Sequence, residues 1–394
     1  MRSTALWIII LLTTACAKFE PVAPGEEEVL DGPLAGLTGP QHAQFLRGDV
    51  AFNDDIFTKE TGLGPLFVST SCGSCHAGDG KGHPFSTLTR FGQTDESGSS
   101  YLNAGGPQLQ HRALQGYFPE QLPPGVAFSR FTPPANTGLG LLDAVTDQDI
   151  LAMSDPEDTD GDGISGAPNW IVPRPYVIQR PGTMVKNGLL IGRFGKKAAA
   201  YDLLHQTAVA YNEDIGITSV FEPRDTYSGA ETDPEISSQT VADVVFYLKT
   251  LRAPVQRDPQ AGDVAGGKTL FLTIGCGACH RPELKTGHSP IAPLSFVSFA
   301  PYTDLLLHDM GAGLNDGYTE GSAKPAEWRT PPLWGLGLAP GSQGGQYYLL
   351  HDGRARSIEE AILLHGGEGG GSRGRYQALA PGERQKILKF LRSL

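Results

Sequence analysis

The sequence predicts a mainly α-helical fold, with two domains and long loop-rich insertions, and three observations carry that prediction. The pattern C-x-x-C-H occurs twice, at Cys72-Gly73-Ser74-Cys75-His76 and at Cys276-Gly277-Ala278-Cys279-His280. A plausible helical segment precedes each copy, and an amphipathic segment closes each half. Gly and Pro, 51 and 30 of 394 residues, lack a Gly-X-Y period, which excludes collagen and describes loop material between ordered elements.

The chain begins with one basic residue, Arg2, followed by the apolar run Ala5 to Leu12 and then Thr13-Thr14-Ala15-Cys16. That order reads as a signal peptide over residues 1–15, too short to span a bilayer. Thr13 to Cys16 resembles a bacterial lipobox, in which Cys16 becomes the lipidated first residue. Residues 16–40, rich in Pro, Gly and Glu, read as a flexible tether. The expected location is the periplasm, with a lipid anchor in a bacterial membrane.

Pro40 to Phe57 is the leading helix of a first domain over residues 41–255, and Ser237 to Leu251 is its closing helix. In the latter Val241, Val244, Val245, Leu248 and Leu251 recur at three- and four-residue steps, before Ala253-Pro254 stops it. Asp263 to Gly275 leads a second domain over residues 256–394, which Pro381 to Leu394 closes. Within the first domain, residues 92–140 read as loops and Gly192 to Ala210 as a helix.

C-x-x-C-H is the attachment signal for a c-type haem. Two thiols a short turn apart reach the two vinyl groups, and the following imidazole becomes the proximal iron ligand. Zinc ribbons also pair C-x-x-C motifs, but roughly 15–20 residues apart; here the separation is 276 − 72 = 204 residues. A thioredoxin-like pair needs a βαβ context, which the Gly-rich flanks do not offer. Two covalently bound haems are therefore expected, at Cys72, Cys75 and His76 and at Cys276, Cys279 and His280. Five cysteines divide into one lipid site and two haem pairs, with no thiol left to act as a redox nucleophile.

Asp158-Thr159-Asp160-Gly161-Asp162-Gly163 places oxygen ligands at alternate positions, as in the first half of an EF-hand loop. Asp158, Asp160 and Asp162 are candidate Ca²⁺ ligands. The twelfth loop position is Asn169, not the bidentate Glu of an EF-hand.

Several stretches resemble the di-haem oxidoreductase family of the bacterial di-haem cytochrome c peroxidase superfamily, whose members carry peroxidase and thiol oxidoreductase labels. They are the two haem motifs, Asp160–Asn169, Tyr302–Gly311, Arg329–Gly335 and His351–Gly367. The resemblance implies two mostly α-helical, cytochrome-c-like haem domains with a calcium ion bound between the haems. It also implies one electron-transfer haem and one peroxide-binding haem.

The sixth iron ligands decide which haem is which. After His280 the candidates are His288, Tyr302, His308, Met310, Tyr347, Tyr348 and His351. Met310, in a Gly-rich stretch, is preferred and His308 is its competitor. His351 is alternatively an organiser of haem propionates through Arg354 and Arg356. Near the first haem, His83, His111, His205 and a distant Glu all qualify as acid-base groups, and none is singled out.

The function expected is an exported di-haem oxidoreductase, peroxidase-like, exchanging electrons with a small redox protein and acting on H₂O₂ or a protein partner. Its alternative is an electron-transfer cytochrome without substrate turnover. The net charge of −12 argues against nucleic acid as a partner and points to a partner with a basic surface.

Overall fold

The computed structural model describes residues 25, 29–95, 98–99 and 107–394. The signal peptide, Cys16 and about half of the expected tether lie outside the described residues. Helix accounts for 34 % and strand for 12 %, so loops, and not helices, make up most of the chain. The helices are α1 (Gly39–Asn53), α2 (Leu139–Asp143), α3 (Asp147–Ala152), α4 (Leu203–Ile215), α5 (Ser238–Thr250), α6 (Gly262–Thr273), α7 (Ala339–Ser342), α8 (Ile358–Leu363), α9 (Gly370–Ala378) and α10 (Pro381–Ser393). The strands, two to four residues long, form small sheets. Within the expected loop region, Phe128–Phe131 pairs antiparallel with Leu88–Phe91.

Local chemistry sets the helix starts. Thr38 caps α1 through a reciprocal pair with Gln41, Thr38 N–H donating to Oε1 at 2.9 Å. The Ser237 hydroxyl accepts from Thr240 N at 3.0 Å to start α5. The stretch ahead of α1 is docked, not free. Leu34 N donates to Thr250 O at 2.7 Å and Arg252 N to Gly32 O at 3.0 Å, so a tether reaching residue 40 is too long.

The helix expected over Gly192 to Ala210 starts only at Leu203, behind an Asp202 cap. Ahead of it Gly195 has φ +84° and Ala198 φ +53°, and a Cβ on Gly192 would stand 1.8 Å from Ala198 O. That tight loop excludes a helical backbone.

The leading and closing helices pair twice in the same way. A Cβ on Gly48 of α1 would lie 2.1 Å from Asp243 O and 2.6 Å from Tyr247 Cβ of α5. On Gly267 of α6 it would lie 2.0 Å from Lys386 O and 2.8 Å from Phe390 Cβ of α10. Only glycine permits either crossing.

The helix pairs fall on either side of residue 255, but the largest apolar core does not. Around Phe52, Leu142, Val244 and Tyr247 it also gathers Leu284, Ile291, Leu306 and Trp334. A second core around Phe271, Ile358, Ile387 and Phe390 is built from the later segment. Loops also cross the boundary: Ser342 Oγ donates to Lys81 O at 2.8 Å and Gln343 Nε2 to Gly82 O at 2.9 Å.

Candidate functional site

Both C-x-x-C-H segments fold into the same turn. His76 N donates to Cys72 O at 3.0 Å, and His280 N to Cys276 O at 3.0 Å. The first turn is held under α1 by Gly73 N, which donates to Phe52 O at 3.1 Å. The second follows α6 directly, through Gly275 at φ +88°.

The two histidines are oriented alike. His76 Nδ1 lies 3.0 Å from Pro134 O, and His280 Nδ1 lies 2.9 Å from Tyr302 O. A carbonyl oxygen only accepts, so Nδ1 carries the proton and Nε2 keeps a lone pair. This is how a metal-ligating imidazole is fixed. Tyr302 holds φ +56° to present that carbonyl, a left-handed conformation that costs about 1–2 kcal/mol in a non-Gly residue. Burial pushes both imidazoles down to about 4, so they stay neutral. It pushes the Cys72 and Cys276 thiols up to about 12, the reverse of an activated redox thiol.

A single cavity of about 1580 Å³ reaches both motifs. Lys81, Lys196 and Arg329, from three distant segments, stand in its wall. Lys81 and Lys196 form no side-chain hydrogen bond or ion pair with a described residue. Burial and then the Arg329 charge push Lys81 down to about 8. Burial, Lys81 and Arg329 push Lys196 down to about 7, with Asp352 acting in the opposite sense. Three cations in one wall, short of counter-ions, make a place for anionic groups. Oriented imidazoles, paired thiols, a large cavity and a carboxylate-seeking wall together fit two haems with their propionates.

At the first motif α4 lines the cavity. His205 is buried and its Nδ1 accepts from Tyr201 N at 3.2 Å, which places the proton on Nε2. Asp214 lacks an ion-pair partner among the described residues. Burial and then Glu213, against the pull of Arg90, push its carboxyl up to about 7. Arg90 itself is tied to Glu213 and Glu320, at 2.7 Å each.

At the second motif, His308 is clamped between carboxylates. Its Nε2 lies 2.9 Å from Asp304 Oδ2 and its Nδ1 2.6 Å from Glu368 Oε2. Against burial, Asp304 and then Cys279 and Glu368 push it up to about 12. It is an imidazolium without a lone pair for iron. Met310 lines the cavity and also packs against the cluster of Phe131, Leu314, Tyr318 and Trp328.

His351 stacks on Trp328 with ring centroids 3.7 Å apart and planes 7° apart, while the Lys197 ammonium sits 3.9 Å from the same indole. Arg354 binds Asp352 at 2.8 Å and Gly313 O at 2.8 Å, and Arg356 covers Tyr348. Neither arginine lines the cavity; Lys81, Lys196 and Arg329 hold the place expected for them. His83, His111, His288, Tyr302, Tyr347 and Tyr348 lie outside the cavity lining.

The acidic loop brings together Asp155, Asp158 and Asp160, with one oxygen of each within 4.8 Å of the others. Asp162 is not in that group; its Oδ1 accepts from Ile164 N at 2.8 Å. Asn169 is fully buried and donates to Lys197 O at 2.6 Å and Glu320 O at 2.9 Å. It is a core clamp, not the end of a cation loop.

No curated protein matches the chain. Solved structures similar to it include hydrazine synthase of Kuenenia stuttgartiensis, 15 % identical with a TM-score of 0.38, covering 99 % of this chain and 100 % of that one. A MauG-like protein associated with microbial copper homeostasis is 14 % identical, with a TM-score of 0.40 and 95 % of each chain covered. The diheme peroxidase BthA from Burkholderia thailandensis is 15 % identical, with a TM-score of 0.41, covering 89 % of this chain and 86 % of that one. Residues 128–394 match the family described as "Di-haem oxidoreductase, putative peroxidase". The match takes in the second haem motif and starts after the first. With that segment spanning well over half of its length, the chain belongs to the di-haem oxidoreductase family.

Proposed function

We propose that the protein is an exported c-type di-haem oxidoreductase that reduces hydrogen peroxide with electrons from a small external redox protein. The observation that carries this reading is the one cavity lined by both C-x-x-C-H motifs, with proton-active groups gathered at the first. A haem with an open position supplies peroxide chemistry and one with six strong ligands supplies electron transfer.

Cys72 and Cys75, and Cys276 and Cys279, would hold the porphyrins by thioether bonds. His76 and His280 would hold iron through Nε2. Lys81, Lys196 and Arg329 would pair with the propionates. Reducing H₂O₂ to two waters takes two electrons, from the redox partner, and two protons. Asp214 is suited to take the proton from one peroxide oxygen and return it to the other, because its carboxyl titrates near neutrality. His205, with its proton on Nε2 at the same wall, would donate a hydrogen bond to the peroxide. The reading includes a lipid on Cys16, a periplasmic location and a partner with a basic surface. Its calcium site would use Asp155, Asp158 and Asp160.

Absorption and EPR spectra of the purified protein test it. One high-spin haem that changes rapidly on adding H₂O₂ is expected. Two low-spin haems, indifferent to peroxide in both oxidation states, would leave only the electron-transfer alternative.

A further inference from the structure

His365 repeats the arrangement of the two motif histidines, outside any C-x-x-C-H pattern. It follows α8, and its Nδ1 lies 2.6 Å from Ala361 O four residues back. The carbonyl again fixes the proton on Nδ1 and leaves the lone pair on Nε2. That nitrogen has no hydrogen-bond partner among the described residues. The ring lines the cavity with Cys276, Cys279, His280, Ala361 and Ile362, and its charge, if protonated, would act on His280.

The other cavity histidines outside the motifs do not share these features. His308 gives both nitrogens to carboxylates. His205 carries its proton on Nε2. His351 lies flat on Trp328, its Nε2 3.9 Å from Asp352.

The segment that carries His365 is also held in place. Glu368 Oε2 is bonded to His308, and its Oε1 accepts from Ser165 Oγ at 2.5 Å and Asp309 N at 3.1 Å. The buried His308 ion pair thereby positions the residues just after His365.

We propose that His365 is the second axial ligand of the haem carried by Cys276 and Cys279, opposite His280. The inference rests on the di-haem reading. It assigns that haem two neutral imidazoles and hence electron transfer, and it leaves Met310 a packing residue.

The test is EPR and absorption spectroscopy of the intact haem-loaded protein, with haem counted per chain. Two haems are expected in the wild type and in His365→Gly. The variant should convert one haem, half of the total, from low spin to high spin, and added imidazole should restore it. His365→Met is a second variant; it should keep that haem six-coordinate and raise its potential. An unchanged spectrum in His365→Gly with two haems bound overturns the ligand assignment alone. So does loss of a sulfur-to-iron charge-transfer band in Met310→Leu. Fewer than two haems in the wild type overturns the di-haem reading itself.

Discussion

Phe52 and Phe271 occupy equivalent stations in the two halves. Phe52 lies 5.9 Å from the ring of His76 and 5.6 Å from Tyr247, and Phe271 lies 6.2 Å from His280 and 5.4 Å from Phe390. Each is four residues after the glycine at its helix crossing, Gly48 or Gly267. Each crossing therefore fixes the ring that packs beside a motif histidine, which links backbone approach to the placement of that imidazole.

Gly267→Ala should destabilise the protein by about 1–3 kcal/mol, because its methyl group would overlap Lys386 O. Gly266→Ala is the matched control, since its Cβ meets only Lys386 Cδ at 3.6 Å. Helix propensity alone should make that change stabilising by up to about 1 kcal/mol. Denaturant melts of the two variants should move in opposite directions.

Asp214 predicts a pH dependence. If its carboxylate accepts the peroxide proton, turnover rises as pH increases through about 7. Asp214→Asn should remove that limb and lower peroxide turnover by about 10²–10⁴-fold, with both haems still attached. The sign for stability is opposite. A carboxyl held above its unfolded value contributes stability at acid pH, and loses it as pH rises through about 7.

Lys196→Met should lower the reduction potential of at least one haem. A cation in the cavity wall favours the added electron, and removing it is worth about 2 kcal/mol for unit charges about 8 Å apart at an effective dielectric of about 20. Potentiometric titration reads the change. Lys196→Arg, which keeps the charge, should leave the potential close to wild type.

Two simpler tests address location and calcium. Cys16→Ser should move the protein from the membrane fraction to the soluble fraction. Chelation followed by Ca²⁺ addition should shift the haem spectra and restore them if Asp155, Asp158 and Asp160 hold the ion. The same chelation in Asp158→Asn should then have no effect.

The haem motifs, the four leading and closing helices and the family resemblance were legible because each is local or periodic. Val241, Val244 and Leu248 announce α5 by spacing, and Cys276 to His280 announce a turn by composition. The cavity wall was not legible. Lys81, Lys196 and Arg329 come from segments with no shared pattern, and only tertiary packing places them together. His365 is not legible for a related reason. Its Gly-Gly context looks like a loop, and what distinguishes it is one bond to a carbonyl four residues back. Asp162 illustrates the opposite case: regular spacing marks it as a ligand, but its carboxylate does not gather with those of Asp155, Asp158 and Asp160.

The raised cysteine thiols bear on the order of assembly. Thioether formation needs sulfur that is accessible and reactive, yet burial pushes Cys72 and Cys276 up to about 12 once the chain has folded. Ser342 and Gln343 moreover tie the loop after the first motif to the far end of the chain. On the proposed c-type reading, haem attachment would come before the two halves close on each other. The porphyrins would then be the surface on which the loops fold, and a chain that folded ahead of attachment would be a dead end in biogenesis.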